Sequence, residues 1–278
     1  IITATKREED LQDVPVVVTA IGQQLLQDAG IENIKDLQIL TPGLTVTSTS
    51  SEASTTARIR GVGTVGDNIG LESSVLVNVD GVYRPRNGVG FGDLGELERI
   101  EVLKGPQGTL FGKNASAGVI NIVTAAPDFD FGVNTELTGG NYGAFGGSLA
   151  NNSPIIPDVL AGNLYMAKRK RDGFYDVGTG PGPRAEKEDN DLGYFTVRGQ
   201  LLAEPTPELT ARLILDYTER DENCCAATQL FVGQATNSRA NLINQVRPGS
   251  IDTTATPFDR QALSNRSTRQ DVTDQGAS

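Results

Sequence analysis

The sequence contains no histidine and no tryptophan, and it has one methionine and two cysteines among its 278 residues. Without histidine it cannot build a Ser-His-Asp or Cys-His catalytic group, or a histidine-ligated metal site. The cysteines, Cys224 and Cys225, are adjacent, so they do not form the spaced pair of a redox or zinc motif. We therefore predict no catalytic residue, no metal and no cofactor, and we do not expect an enzyme.

The sequence also lacks a long hydrophobic run and an excess of positive charge. No stretch of about eighteen apolar residues is present, so no membrane-spanning helix is expected. Acidic residues outnumber basic residues by 35 to 24, which gives a formal net charge of −11. Nucleic acid is thus not an expected partner, because binding it requires a basic stripe. The chain begins at Ile1 without an initiator methionine or a leader sequence, as a processed or trimmed product does.

The first half of the sequence predicts a compact α+β domain. Between Ala20 and Leu40, leucine and isoleucine recur at helical spacing, with a break near Gly30, until Pro42-Gly43 ends the pattern. Short strand-like segments punctuated by glycine follow, among them LTVTSTS, SVLVNVDGVY and GVINIVT. Their irregular spacing indicates a small mixed sheet rather than a regular repeat.

A different pattern begins at about Phe129. About five segments of roughly ten residues alternate in polarity, and their connections are in turn short with proline or long and polar. Short turns at one end and long loops at the other are typical of an outer-membrane β-barrel. The period of the polarity alternation, taken alone, is equally compatible with a soluble β-sandwich. An open sheet would leave unpaired edges in lipid, so a membrane barrel would be incomplete in this chain.

Two glycine-rich segments imitate nucleotide-binding motifs. Gly61, Gly63 and Gly66 spell GxGxxG, but the following DNIGLESS is too short and too polar for the helix that a dinucleotide site requires. The segment GPQGTLFGKN departs from a phosphate-binding loop at Gln107 and at Asn114. An NAD-dependent enzyme therefore remains only as a third hypothesis, which nucleotide titration would test.

Five ordered segments carry a resemblance to a known family. ELERIEVLKGPQGTLFGKNASAGVINIVT, from Glu96 to Thr124, is similar to the most recognisable stretch of the plug domain of TonB-dependent receptors. REEDLQDVPVVVTAIGQQLL, LTPGLTV, ARIRGVG and VLVNVDGVY precede it in the family's order. A looser resemblance continues to about Arg220. It implies an α+β plug domain over residues 1–128, followed over residues 129–278 by about five antiparallel transmembrane β-barrel strands and a long extracellular loop.

The resemblance also implies a place for two basic residues. In the family, two arginines of the plug pair with glutamates of the barrel, and the matching positions here are Arg60 and Lys104. Lysine keeps the charge but lacks the bidentate guanidinium of arginine. The barrel glutamates would lie beyond this chain.

Further candidates lie in the first residues and in two plug loops, again by resemblance. The first residues match the end of the TonB box, which pairs edge-on with a strand of TonB, although they also fit a first plug strand: Ile1, Ile2, Thr3 and Ala4. The loops around residues 61–70 and 84–92 are expected to face the ligand, and their candidate residues are Gly63, Asp67, Asn68, Tyr83, Arg84 and Arg86.

As a whole, the resemblance implies a passive gated transporter in the outer membrane of a Gram-negative bacterium, in contact with outer-membrane lipid. It would bind an extracellular ligand, most commonly an iron-siderophore, and import it when TonB and its inner-membrane energising complex pull on the plug. Vitamins, glycans, aromatic compounds and peptides stay open as ligands. The alternative is a soluble periplasmic or surface β-rich binding module, and a requirement for detergent would distinguish the two.

Cys224 and Cys225 begin a polar loop that strand parity places outside the cell. In that oxidising environment we predict a disulfide between the two neighbours in preference to free thiols, although the bridge would be strained. Its expected role is structural.

Overall fold

The computed structural model describes residues 9–10, 14–31, 34–48, 55–64, 71–84, 93–179, 182–225, 245, 257–263 and 266–278. The elements up to Thr124 build an N-terminal domain, and most of the later strands build a large antiparallel sheet. The predicted candidates Ile1, Ile2, Thr3, Ala4, Asp67, Asn68 and Arg86 lie outside the described residues.

The described part of the N-terminal domain is made of short strands, two short α-helices and a 3-10 helix. In chain order they are β1 (Val17–Gly22), α1 (Gln23–Asp28), a 3-10 helix (Asp36–Ile39), β2 (Leu44–Thr47), β3 (Thr56–Ile59), β4 (Val62–Gly63), β5 (Val75–Val79), β6 (Val82–Arg84), β7 (Leu97–Lys104), α2 (Gly108–Phe111) and β8 (Gly118–Thr124). The helical stretch predicted from Ala20 is wrong at its start, because Ala20 to Gly22 belong to β1, and near Gly30 it is divided into α1 and the 3-10 helix. In the described part of the chain, no helix has the length and apolar character needed to cross a membrane.

Two small sheets organise this domain. The five-stranded sheet has the order β1-β7-β8-β5-β6. In it, β5 and β8 are parallel, and every other neighbouring pair of strands is antiparallel. The second sheet has the order β2-β3-β4. A mixed sheet with short helices confirms the predicted α+β architecture.

The five-stranded sheet is covered on both faces. The aliphatic side chains of one face form a buried cluster with α1 and the 3-10 helix. Its members include Ile100 and Ile120 of the sheet, Leu26 of α1 and Leu37 of the 3-10 helix. The other face packs Leu103 and its neighbours in a smaller cluster. Because strands buried on both faces need apolar residues at nearly every position, β5 and β8 have mostly hydrophobic sequences. Each such fully buried side chain contributes about 1.5–3 kcal/mol.

A polar chain crosses the apolar centre of the same sheet. Asn78 donates to Asn121 at 2.8 Å, and Asn121 donates to the buried carboxylate of Glu101 at 3.0 Å. Arg99 Nε donates to the same carboxylate at 2.8 Å. Each buried polar group therefore has a partner, and the three strands are held in a single register because a shift would separate these side chains.

The large sheet contains six strands in the order β17-β15-β14-β11-β10-β9. The elements of this region are β9 (Gly132–Gly139), β10 (Phe145–Ile156), β11 (Leu160–Arg171), β12 (Tyr175–Gly178), β13 (Glu188–Asp189), β14 (Leu192–Thr206), β15 (Leu209–Asn223), a 3-10 helix (Pro257–Asp259), β16 (Gln261–Leu263) and β17 (Arg269–Ala277). The sequence predicted about five of these strands, and β17 is the one that it missed.

The two faces of the large sheet differ in polarity. On β15, Leu209, Leu213 and Leu215 point away from the N-terminal domain and are about half exposed, at 55, 45 and 52 %. Alternate residues of the same strand, such as Asp216 and Arg220, point toward the domain. A soluble sandwich buries its apolar faces, whereas strands of a membrane barrel carry apolar residues outside and polar residues inside. The alternation therefore favours the barrel.

The connections of the large sheet differ at its two ends, as predicted. Residues 157–159 and 207–208 form short turns at one end, and the longer connections begin after Arg171 and after Asn223 at the other. Part of these longer connections forms a small sheet of order β13-β12-β16, in which β12 and β16 are parallel. The long loops are thus joined to one another at their bases.

We expect Gly118→Ala to destabilise the N-terminal domain by about 1–3 kcal/mol, the usual cost of overpacking. Gly118 opens β8 with φ +155°, and a Cβ there would overlap the carbonyl oxygen of Leu103 and the Cδ1 atom of Ile59. Gly108→Ala is the matched control, because a Cβ at Gly108 meets no atom within 4 Å. Hydrogen exchange of the β7 and β8 amides measures the effect, and equal protection in the two variants would contradict it.

Candidate functional site

The N-terminal domain lies against the inner face of the large sheet. One level of that face is defined by directly opposed residues, one from each strand. We name this level the docking row, and its members are Asn134, Ala150, Tyr165, Arg198, Asp216 and Gly276. Because strand pairing fixes these residues at a single height, they act as one surface for the domain.

Residues 93–96 of the N-terminal domain run along the docking row. The hydroxyl of Tyr165 donates to Asp93 Oδ1 at 2.5 Å, and Arg198 Nη1 donates to the carbonyl of Leu94 at 3.4 Å. Asn134 Nδ2 donates to Glu96 Oε1 at 2.6 Å. These contacts reach three different strands, so they position the segment along the sheet as well as holding it there.

Asp93 forms the most deeply buried of the described ion pairs between the N-terminal domain and the large sheet. Its carboxylate accepts from Arg169 Nε on β11 at 2.8 Å, and the two side chains are only 5 and 6 % exposed. Tyr165 occupies the other carboxylate oxygen, which also accepts from the backbone N–H of Gly95 at 3.1 Å. Charge-assisted hydrogen bonds of this kind are roughly twice as strong as neutral ones.

Arg84, at the end of β6, makes a second ion-paired contact. Its Nη2 atom lies 2.6 Å from Asp216 Oδ1 of β15, and its Nη1 atom lies 3.4 Å from Asp274 Oδ2 of β17. Gly276 leaves room for the pair, since a Cβ there would lie 2.9 Å from the Asp216 carboxylate. The structure thus gives Arg84 a role at the interface with the sheet, and its predicted contact with a ligand stays a prediction.

A second level of contacts lies closer to the short turns. Gln200 and Asn163 donate to the carbonyl of Ala125 at 3.2 and 3.3 Å. Arg212 Nη2 donates to the carbonyl of Thr124 at 3.3 Å and lies 3.9 Å from Asp80. These residues hold the connection between the domain and β9, where the predicted domain boundary after residue 128 falls.

Arg60 and Lys104, which were each predicted to pair with a barrel glutamate, lie together at one turn of the N-terminal domain. The backbone N–H of Arg60 donates to the carbonyl of Gly43 at 2.7 Å, and Lys104 Nζ donates to the carbonyl of Pro42 at 2.9 Å. This turn is near the start of β8, whereas the large sheet contacts the end of β8 at Thr124. Their pairing with glutamates elsewhere stays a prediction.

Two predicted ligand-facing residues lie in tight surroundings within the N-terminal domain. A Cβ at Gly63 would lie 2.8 Å from the carbonyl oxygen of Ala57, so glycine is needed there for close packing. The hydroxyl of Tyr83 accepts from Asn114 Nδ2 at 2.5 Å. Ligand contact by either residue stays a prediction.

An exposed ion pair accompanies the contact of Asn114. Lys113 Nζ lies 2.8 Å from Glu72 Oε1. Hydrogen bonding to Lys113, and then to Asn114, lowers the pKa of Glu72, and the bond to Glu72 raises the pKa of Lys113. These contacts join the connection between β7 and β8 to the start of β5.

The outer connections of the large sheet bring aromatic and cationic side chains together, which the sequence did not indicate. Arg260 lies over the rings of Tyr142 and Phe174, at 5.8 and 5.6 Å from their centroids, and Arg171 lies 5.0 Å from the centroid of Phe174. Three separate connections contribute to this group. Among the described residues, no cluster of acidic or cysteine side chains has the arrangement of a metal site.

Cys224 and Cys225 lie just after β15, with their sulfur atoms in contact. The backbone N–H of Cys224 donates to the carbonyl of Thr268 at 3.1 Å, and the carbonyl of Cys224 accepts from Gln270 Nε2 at 3.2 Å. The pair is therefore held against the connection that leads to β17. The vicinal disulfide stays a prediction.

For this disulfide we expect alkylation of the unreduced, unfolded protein to modify no cysteine, and alkylation after reduction to modify both. The physical reason is the oxidising compartment in which the loop is expected to lie. Intact-mass measurement reads the result, and the Cys224→Ser/Cys225→Ser variant controls for reaction at other side chains. Two modified cysteines without reductant would exclude the bridge.

Comparison with known proteins decides the family. Residues 10–119 match the family model of the TonB-dependent receptor plug domain. The predicted resemblance to the TonB-dependent receptors is confirmed, and residues 10–119 belong to the plug-domain family. The N-terminal domain is accordingly the plug, and the large sheet is part of the barrel wall.

Relatives with curated functions match this chain over plug and first strands. The pesticin receptor of Yersinia pestis is 29 % identical over 62 % of this chain and 25 % of its own length. The vitamin B12 transporter BtuB of Vibrio vulnificus is 31 % identical over 51 % of this chain and 23 % of its own length. The chain thus spans about a quarter of the length of these relatives.

A solved structure gives the same fold. The ferripyoverdine receptor of the outer membrane of Pseudomonas aeruginosa, bound to ferripyoverdine, aligns with a TM-score of 0.67 at 23 % identity, over 84 % of this chain and 29 % of that chain. The predicted fold class is therefore confirmed. Together with the plug-domain match and the receptor relatives, the predicted outer-membrane localisation is confirmed as well. These relatives are receptors and a transporter rather than enzymes, in agreement with the sequence prediction.

Proposed function

We propose that the whole protein is a TonB-dependent outer-membrane transporter, which binds an extracellular ligand and imports it to the periplasm. The observation that carries this proposal is the docking of the plug along one level of the inner barrel wall, through buried but separable ion pairs. A plug held in this way closes the barrel at rest, and energy supplied from outside the barrel is needed to move it. No covalent chemistry is involved.

The energy would come from TonB, acting on the first residues of the plug. Ile1 to Ala4 resemble the end of the segment that adds as a strand to TonB. A pull applied there would be transmitted through the plug to its contacts with the barrel. Since several of those contacts are charge-assisted, the work is spent on breaking them.

We infer that the ligand is an iron-siderophore. In support, the receptor with TM-score 0.67 is a ferripyoverdine receptor. The group formed by Tyr142, Phe174 and Arg260 offers ring faces and positive charge at the outer end of the strands, which suits a polar chelate with aromatic or anionic groups. A vitamin remains the second candidate, because one curated relative is a vitamin B12 transporter.

The test is uptake by cells that express the full-length receptor, with and without TonB. The probes are radioactive iron carried by hydroxamate, catecholate and mixed-ligand siderophores, together with labelled cyanocobalamin. We expect saturable accumulation of a ferric chelate only in cells with TonB. Accumulation of cyanocobalamin alone would refute the siderophore while keeping the transporter, and uptake that is independent of TonB would refute the proposed mechanism.

Fractionation separates the transporter from the alternative of a soluble binding module. We expect the full-length protein to sediment with the outer membrane and to need detergent for extraction, because its apolar side chains face outward along the strands. A resident outer-membrane protein and a periplasmic protein of the same cells are the controls. Recovery of a monodisperse protein from the periplasm without detergent would refute the proposal.

A further inference from the structure

Around Arg84, the charged residues of the plug and of the barrel wall form a cluster that is balanced separately on each side. The plug contributes one acid and one base, and the wall contributes two of each, in a cluster whose members contact or face one another. They are Asp80 and Arg84 of the plug, with Arg198, Arg212, Asp216 and Asp274 of the wall. If the plug moves away, the wall residues of this cluster therefore keep equal numbers of positive and negative charges.

Balance in number is not sufficient, because each charge also needs a partner within reach. Asp216 is the main partner of Arg84, at 2.6 Å, and its side chain is only 12 % exposed. When Arg84 withdraws while the rest of the plug still covers this part of the wall, Asp216 would be a largely buried carboxylate without its partner. Such a group is strongly unfavourable, so it would oppose the movement of the plug.

Arg198 is placed to prevent this. It stands directly opposite Asp216 across the pairing of β14 with β15, where Cβ atoms are about 4.5–5.5 Å apart. Its hydrogen-bonding capacity is only partly used. Nη1 donates to the carbonyl of Leu94 at 3.4 Å, and the buried Nε has no hydrogen-bond partner within the described part of the chain.

We propose that Arg198 is the replacement partner of Asp216. At rest, Asp216 binds Arg84 of the plug. As the plug moves, Arg84 leaves and the guanidinium of Arg198, which also loses the carbonyl of Leu94, turns to the carboxylate across the strand pair. The wall keeps a charge-assisted pair throughout, so the barrier to plug movement is lowered. The inference rests on the proposed transport function, which supplies the movement. Arg198 is thus a positioning residue for transport.

The direction of one mutational effect tests this assignment. The full-length receptor is held in a lipid bilayer, and a constant force is applied to the N-terminus of the plug. The lifetime of the step that frees Arg84 is measured. Arg198→Gln should lengthen that lifetime by about tenfold or more, because Asp216 is then left without a partner. A purely structural contact with Leu94 predicts a shorter lifetime.

Two further variants make the test specific. In an Asp216→Asn background, Arg198→Gln should change the lifetime little, because position 216 then has no carboxylate for Arg198 to bind. Arg212→Gln should shorten the lifetime, because Arg212 binds Thr124 and faces Asp80 of the plug directly. Where the glutamine variant does not assemble, Arg198→Met removes the same charge with a side chain of similar length.

An unchanged or shortened lifetime in Arg198→Gln would overturn the proposal, as would an equal lengthening in the Asp216→Asn background. The measurement needs neither ligand nor TonB. A receptor without TonB-dependent uptake would therefore refute the proposed function, whereas the pulling result alone decides the role of Arg198.

Discussion

Asp189→Ala is expected to lower the local stability by about 3–5 kcal/mol and to detach the small outer sheet formed by β12, β13 and β16. Asp189 pairs with Arg184 at 2.9 Å, and both side chains are fully buried. Thr268 donates to the same carboxylate at 2.7 Å. Removing the carboxylate leaves the guanidinium of Arg184 buried without its acid, and this uncompensated charge is the source of the large effect.

Hydrogen exchange of the β12 and β16 amides measures the loss. The matched control is Asp221→Ala, which removes an ion pair with Arg269 at the same 2.9 Å distance, in which both side chains are more than half exposed. Because surface pairs are worth about 0–1 kcal/mol, protection should change little in the control. Similar loss of protection in both variants would show that burial does not set the strength of the inner pair.

Deleting residues 1–5 from the full-length receptor is expected to abolish energised uptake and to leave ligand binding at the cell surface unchanged. The reason is that strand addition to TonB requires both the backbone and the side chains of this segment, whereas the ligand is expected to bind at the opposite, extracellular end. Uptake and equilibrium binding are measured with the same iron-loaded probe in the same cells.

The control for this deletion replaces residues 1–5 with a glycine-serine segment of equal length, which separates the loss of chain length from the loss of sequence. We expect it to fail in uptake as the deletion does, because the TonB-box side chains are gone. Normal uptake by the deletion variant would exclude the proposed TonB-binding role of Ile1 to Ala4, and these residues would then be a first plug strand.

Much of the fold could be predicted because its signals are local. The apolar runs of β5 and β8 indicate strands buried on both faces, and the alternation in β14 and β15 indicates strands with two different environments. Short turns and long loops also follow from nearby proline, glycine and polar residues. β17 was missed because its outward residues, such as Arg269, Asp271 and Thr273, are polar and give the strand no alternation of hydrophobicity.

The candidate site could be predicted only in part. Sequence resemblance indicated the plug loops around Arg84, but Arg84 was expected to face a ligand rather than Asp216. Asp93 and Arg169 gave no signal at all, since they are 76 residues apart in the chain and meet only through folding. An isolated aspartate or arginine has the same local pattern whether it is exposed or buried in an ion pair.

By itself, therefore, the sequence determined the class of protein, the α+β plug, the alternation of the strands and the ends at which long loops occur, since each depends on residues close together in the chain. The tertiary structure alone decided which charges meet. The docking row exists because six strands pair in one register, which brings Tyr165, Arg198 and Asp216 to one height. Burial of the plug against that row then makes their charges strong enough to hold it, because exclusion of water strengthens every electrostatic contact.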